Sequence, residues 1–180
     1  MTQPRIQPCR IAIIGLGKIA ADQHVPAIMA SADFELVATV DPAASGLGGI
    51  AHFASFDALL ASGLAIDAVA VCTPPQWRRE IARAAIAAEK HVLIEKPPGA
   101  DLAEASALAD AAQASDVTVF AAWHSRYAAG VEPARAWLAG KAIHAVAVTW
   151  REDVRVWHPG QTWIWREGGF GVFDPGINAL

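Results

Sequence analysis

The chain has 180 residues, a formal net charge of −4 and a hydrophobic fraction of 54%, to which alanine contributes heavily. That length holds one domain with a proper core, or one domain and part of a second. No basic stripe invites nucleic acid, no run of about 18 uncharged apolar residues could span a bilayer, and the amino terminus lacks the apolar core of a signal peptide.

Arg10-Ile11-Ala12-Ile13-Ile14 is an apolar run that meets Gly15-Leu16-Gly17-Lys18-Ile19-Ala20, which predicts a strand, a glycine turn and a helix. Phe34 to Val40 reads as a second strand, stopped by Asp41-Pro42. Between Pro42 and Phe56 a Gly/Ala/Ser-rich connection predicts a loop with a short helix, followed by a small helix from Asp57 to Ala61 capped by Asp57. Ile66 to Cys72 is the third strand, closed by Thr73-Pro74-Pro75. Cys9 and Cys72 match neither a metal-ligand spacing nor a disulfide framework, so a soluble cytoplasmic protein with no resident metal is expected.

Trp77, Ile81, Ala84, Ala85 and Ala88 then fall on one helical side, with Arg78, Arg79, Arg83 and Glu89 elsewhere. His91-Val92-Leu93-Ile94 is a buried parallel strand that ends in Glu95-Lys96-Pro97-Pro98, and the prolines forbid its continuation. Asp101-x-x-Glu104 has the form of an N-terminal capping arrangement, with Leu102, Ala105, Leu108 and Ala112 as the helix's inner face. Val117 to Ala121 is the fifth strand, leading into Trp123-His124-Ser125-Arg126. Strands alternating with helices imply a doubly wound parallel sheet, an α/β Rossmann-type domain over residues 1–125.

From residue 126 to 180 the texture changes. A helix to Leu138 precedes Ile143 to Trp150, whose alternation predicts a strand. A tryptophan-rich stretch follows, and Asp174-Pro175 then opens toward a helix. One strand with one helix cannot bury its own faces, so this part reads as the incomplete start of an α+β open-sheet domain in a truncated chain.

Gly15-x-Gly17-x-x-Ala20 straight after a first strand has the dinucleotide pattern, with the Gly15–Ile19 turn and the helix N-terminus offering amides to a pyrophosphate. Asp41, ending the second strand, is placed to accept bonds from the adenosine ribose and to repel a 2′-phosphate, which favours NAD over NADP; a turn initiator ahead of Pro42 suits the same residues. Cys72-Thr73-Pro74 would pass its backbone beside the cofactor, or form only a rigid strand-to-helix turn. Glu95 and Lys96 stand at the carboxyl end of a strand, where open α/β sheets bind ligands, either as a salt-bridged terminus or as site groups. His124 lies on the same side, and the other histidines (His24, His52, His91 and His144) carry weaker signals. Glu152, Arg155, Trp157 and His158 combine indole faces suited to sugar rings with groups that bond sugar hydroxyls, whereas Trp163 and Trp165 read as core or interface. Asp174 and Asn178 share a helix face four residues apart; Asp174 before Pro175 is also a good N-cap.

The Gly15–Ala20 turn, Glu95-Lys96-Pro97 and Asp174-Pro-Gly-Ile-Asn178 together resemble the Gfo/Idh/MocA oxidoreductase family. Trp123–Arg126, Val156–Trp165 and Gly171–Leu180 resemble its members that act at C1 of aldoses such as D-galactose and L-arabinose. The resemblance implies a nicotinamide-dependent oxidation of an aldopyranose to its aldonolactone, with NAD preferred and NADP the alternative, and a homo-oligomeric full-length protein. It implies Lys96 near the reacting carbon and the nicotinamide ribose, Asp174 and Asn178 as further catalytic residues, and sugar contacts from His124, Glu152, Trp157 and His158. Many members carry histidine where Asn178 stands, which leaves Asp174 and Lys96 as candidate bases. Arabinose enzymes that accept NADP tend to carry Ser-Arg where this chain has Asp41-Pro42. Another sugar, an inositol, or a non-catalytic nucleotide-binding fragment are the alternatives.

Overall fold

The computed structural model describes residues 7–167, 169, 171, 176 and 177. Contacts divide the chain into two compact units, Met1–Ala121 and Ala122–Leu180.

The first unit is built on a six-stranded sheet. Its strands are β1 (Cys9–Ile14), β2 (Phe34–Val40), β3 (Ala51–Phe53), β4 (Ala68–Val71), β5 (His91–Glu95) and β6 (Val119–Ala122), the last running one residue past the division. They lie in the order β3-β2-β1-β4-β5-β6, and the registered pairs β1–β2, β1–β4, β2–β3 and β4–β5 are all parallel. Parallel neighbours need a crossover; residues 41–50 join β2 to β3 without a helix, and the other connections run through α1 (Val25–Ala30), α2 (Phe56–Ala61), α3 (Pro75–Ala87) and α4 (Leu102–Ala114). The sheet is therefore apolar on both faces. Ala12, Ile14, Val69, Val71, Val92 and Ile94 face one core with Phe56, Leu59, Ala82, Ile86 and Leu108. Ile11, Ile13, Ala68, Ala70 and Cys72 face the other with Ala20 and Ile28. Truncating a side chain as buried as Ile94 to alanine would cost about 2–5 kcal/mol.

Strand β2 breaks the alternation expected of it. Leu36 packs in the second core, but Ala38 and Val40 pack in the first. The register explains this: Ile11 pairs with Leu36 and Ala12 with Ala38, so Val37 is an extra residue that rotates the rest of the strand by one face.

Several elements differ from expectation. The loop after Pro42 carries the short edge strand β3, making six strands rather than five. Helix α2 is capped by Ser55, whose hydroxyl accepts from Ala58 N–H, and not by Asp57, which already lies inside the first turn. On α3 the buried positions are Arg78, Ala82, Ala85 and Ile86, while Trp77 is 64% exposed. The Asp101 cap of α4 forms as expected, with Glu104 N–H donating to its carboxylate and Ala100 N–H to Glu104, but Leu102 is 82% exposed.

The second unit contains α5 (Val131–Leu138), a single turn α6 (Val154–Trp157), and two 3₁₀ turns at His124–Tyr127 and Thr162–Trp165. Residues 143–150 form no strand. They are exposed and unladdered, because alternation supplies two faces but not the neighbouring strand that would take up the backbone hydrogen bonds.

Candidate functional site

The turn after β1 is shaped by two glycines with different duties. Gly15 takes φ +91°, donates its N–H to Val40 O at 2.8 Å, and a Cβ there would stand 2.8 Å from Thr73 N and 2.9 Å from Thr73 Cγ2. It is therefore required by the packing of β1 against the end of β4. Gly17 has no atom of the described residues within 4 Å of where a Cβ would stand, so the backbone presents open space there. Lys18 is paired with Asp22 one turn on, and Ile19 is exposed.

Asp41 closes this turn from the end of β2. Its Oδ2 accepts Leu16 N–H at 2.9 Å, and its Oδ1 accepts Ala43 N–H at 2.8 Å and Ala44 N–H at 3.1 Å. Burial alone would raise its pKa, but the bonds from Ala43, Leu16 and Ala44 outweigh it and hold the carboxyl below its ordinary value. A carboxylate offers about four lone-pair directions, so three amides leave room for one further donor. The turn-forming and ribose-binding readings are thus compatible.

At the end of β4, Cys72 is buried and its thiol packs in the second core, where burial, and then the charge of Glu95, push its pKa far up. It is an inert thiol, and only its backbone can touch a ligand. Thr73 Oγ1 and Gln76 Oε1 are buried with no hydrogen-bond partner among the described residues.

Glu95 and Arg78 organise the end of β5. Glu95 is only 7% exposed; its Oε1 lies 2.7 Å from His24 Nε2 and its Oε2 accepts Lys96 N–H at 3.2 Å. Burial raises the Glu95 pKa, and the His24 contact, with help from Arg78 and the Lys96 amide, overrides it to give a net lowering. Arg78, 5% exposed, donates from Nε to Thr73 O at 2.8 Å and from Nη1 to Lys96 O at 2.6 Å, Pro97 O at 3.1 Å and Glu95 O at 3.3 Å. One guanidinium thus ties the segment after β4 to the segment after β5. The Lys96–Pro97 peptide bond is cis.

In the second unit, Glu152 is a hub. Its Oε2 accepts Trp150 Nε1–H at 2.9 Å, and its Oε1, buried without a hydrogen bond among the described residues, lies 3.3 Å from His158 Nε2; the Glu152 and His158 side chains are mostly buried. His158 Nδ1 is 3.5 Å from Gln161 Oε1. Trp157 and His124 are exposed. Asp174 and Asn178 lie outside the described residues.

The profile of an oxidoreductase family with an NAD-binding Rossmann fold, Gfo/Idh/MocA, matches residues 9–123. The chain belongs to the Gfo/Idh/MocA oxidoreductase family. It is 48% identical over 175 residues to a galactose 1-dehydrogenase of Pseudomonas fluorescens, covering 97% of this chain and 56% of that protein. The crystal structure of a D-galactose-1-dehydrogenase from Rhizobium etli superposes with a TM-score of 0.88 at 48% identity, covering 98% of this chain and 57% of that one. A WlbA dehydrogenase from Bordetella pertussis, in complex with NADH and UDP-GlcNAcA, gives a TM-score of 0.66 at 25% identity over 73% of this chain and 42% of that one. The chain spans about half the length of the curated relatives it matches.

The residues of this Gfo/Idh/MocA domain fit a dinucleotide. Gly17 leaves a cradle that a side chain would fill, the Thr73 hydroxyl is buried without a partner among the described residues, and the Asp41 carboxylate accepts three amides and so has one acceptor direction beyond them. Gly17, Leu16, Lys18 and Ile19 would hold the pyrophosphate, Asp41 the adenosine ribose, and Thr73, Pro74 and Lys96 the nicotinamide end. Sequence reasoning missed two residues that shape this edge. The sequence gives His24 only a weak signal and places Arg78 away from the buried side of its helix. A polar residue at Arg78, Ala82, Ala85, Ile86 spacing was the available signal for the second.

Proposed function

We propose that the chain is the nucleotide-binding domain and the start of the sugar-binding domain of an NAD-preferring aldose 1-dehydrogenase. The substrate is D-galactose, with L-arabinose as a close analogue, and the product is the aldonolactone. The observation that carries the reading is the Glu95-Lys96-Pro97 turn, locked by Arg78 onto the segment after β4 at the carboxyl edge of the sheet. Open α/β sheets bind their ligands at that edge. The choice of sugar is supported by the 48% identity to proteins named as galactose 1-dehydrogenases.

Oxidation removes a hydride from C1, which a bound nicotinamide accepts, and a proton from the C1 hydroxyl. The base must lie within hydrogen-bond reach of that oxygen. Asp174 is assigned that role, with Lys96 polarising the oxygen or relaying its proton and Asn178 orienting the hydroxyl. His124, Glu152, Trp157 and His158 are assigned to the sugar, whose ring presents C–H faces to indole and hydroxyls to the carboxylate and imidazole. Asp41 favours NAD because a carboxylate beside the ribose repels a 2′-phosphate. Homo-oligomeric assembly of the full-length form is part of the same proposal.

A panel of aldoses, with NAD reduction followed by absorbance, tests the reading. Turnover fastest with galactose is the expected result, and Asp174→Asn in the full-length protein should abolish it while NAD still binds. Preference for an inositol or another sugar would replace the substrate. A second reading, a nucleotide-binding fragment without catalysis, is favoured by one observation: the first unit holds a complete sheet and two cores, whereas the second, among its described residues, buries only Ile164 as an apolar residue. NAD binding by the 180-residue chain without aldose turnover would decide for it.

A further inference from the structure

His24 lies in a π-helical turn, Ala20–His24, that joins the glycine loop to α1. Pro26 accounts for the turn. Proline has no N–H to donate and its ring crowds the carbonyl four residues back, so the helix widens, and Val25 N–H bonds Ala20 O five residues back. A dinucleotide fingerprint asks for nothing at position 24. Yet the His24 side chain is almost buried, and its Nε2 sits 2.7 Å from a Glu95 carboxylate that is buried as well.

The other oxygen of that carboxylate accepts the amide of Lys96. Arg78 meanwhile holds the carbonyls of Glu95, Lys96 and Pro97. The Lys96 peptide is therefore gripped on its carbonyl side by Arg78 and on its amide side by Glu95, and Glu95 is itself oriented by His24. A buried carboxylate without a partner turns toward another donor or takes up a proton, and either change weakens its hold on the amide.

We propose that His24 is a positioning residue for the oxidation: acting through Glu95, it fixes the Lys96 backbone and couples the dinucleotide-binding helix to the lysine that meets the reacting carbon. The inference rests on the role given to Lys96 in the proposed function.

His24→Leu removes the contact, and His24→Gln restores a donor. In the full 180-residue chain, the Lys96 amide should exchange with solvent about tenfold faster in the leucine variant and within about threefold of the native rate in the glutamine variant. The Cys72 amide, bonded to Ile14 O, and the Val92 amide, bonded to Thr118 O, should keep their native rates in both. If the leucine variant does not fold, His24→Asn, polar but shorter, makes the same comparison. Lys96 exchange that is unchanged, or that rises in step with Cys72 and Val92, overturns the proposal. In the turnover arm kcat should fall about tenfold in the leucine variant, with Kd for NAD within about threefold and rescue by glutamine; an unchanged kcat overturns it too. If the native protein oxidises no aldose, the proposed substrate fails alone, and the exchange comparison still decides the role of His24.

Discussion

Replacing Arg78 by Met keeps most of the volume and apolar stem but removes every donor. The guanidinium makes two short bonds, to Lys96 O at 2.6 Å and Thr73 O at 2.8 Å, and two longer ones to Pro97 O and Glu95 O. A bond from a charged donor contributes about 1.5–3 kcal/mol, so the two short ones alone are worth about 3–6 kcal/mol. Thr73, Lys96 and Pro97 are only half-buried, and water can partly replace the lost donor. The lower end, about 3 kcal/mol, is therefore the expected loss, a large share of the roughly 5–15 kcal/mol that holds a domain together. Arg78→Lys should recover part of it, since an ammonium can serve one loop end but lacks the planar fork that reaches both. Urea denaturation followed by tryptophan fluorescence measures the loss, with Arg79→Ala as the control. Arg79 pairs with Glu80 and Glu104 on the surface, where such pairs contribute about 0–1 kcal/mol. An Arg78→Met midpoint no lower than that of the control would refute the view that this guanidinium clamps the two strand ends.

The two glycines of the first turn should part company. Gly15→Ala forces a side chain against Thr73 backbone at positive φ and should destabilise the fold by about 2 kcal/mol or more, whereas Gly17→Ala should leave the denaturation midpoint unchanged and weaken NAD binding at least about tenfold. Equal effects on stability would sink that division. Asp41→Asn should weaken NAD and raise the affinity for NADP relative to it, read as the ratio of the two Kd values; an unchanged ratio would mean the carboxylate serves only its three amides. Acid stability depends on Glu95 and Asp67, the latter gripped by Arg10 at the amino end of β1. Both carboxyls sit below their ordinary values when folded, Asp67 at about 2. Between the folded and unfolded values the unfolded chain binds more protons, so each contribution is complete above about pH 4.5 and is lost as pH falls through the folded value. Glu95→Gln should flatten the fall of Tm with acid over that window, and an undiminished slope would argue that Glu95 contributes nothing to it.

What could be read from the sequence was what neighbouring residues decide among themselves. β2 and β5 fall where an apolar run ends in Asp41-Pro42 and Lys96-Pro97, and the Asp101–Glu104 cap forms as its spacing predicts. β3 escaped because Ala51-His52-Phe53 is too short to show a period inside a glycine-rich loop. The run from Ile143 to Trp150 misled for the opposite reason: it has the period of a strand, but a strand also needs a neighbour, and its own residues cannot say whether one is there. Sequence pattern alone points Arg78 outward because a guanidinium is costly to bury. The four carbonyls that offset the cost come from two other segments and leave no mark on the helix.

The same distinction bears on the charged end of β5. From the sequence, Glu95 and Lys96 are either a salt-bridged strand terminus or a pair of site groups. The structure gives Glu95 a mostly buried partner; the site role belongs to Lys96 in the proposed function. Glu95 is the hydrogen-bonded member, and its partner His24 is 71 residues away, brought there by a proline-widened turn that no local pattern announces. Lys96 is held by the Glu95 carboxylate through its own amide, and by Arg78 through its carbonyl. A buried polar contact is weak evidence for stability in itself, because desolvation takes back much of the attraction. Here His24 acts through Glu95, whose other oxygen holds the Lys96 amide, so the contact's worth lies in where it puts Lys96.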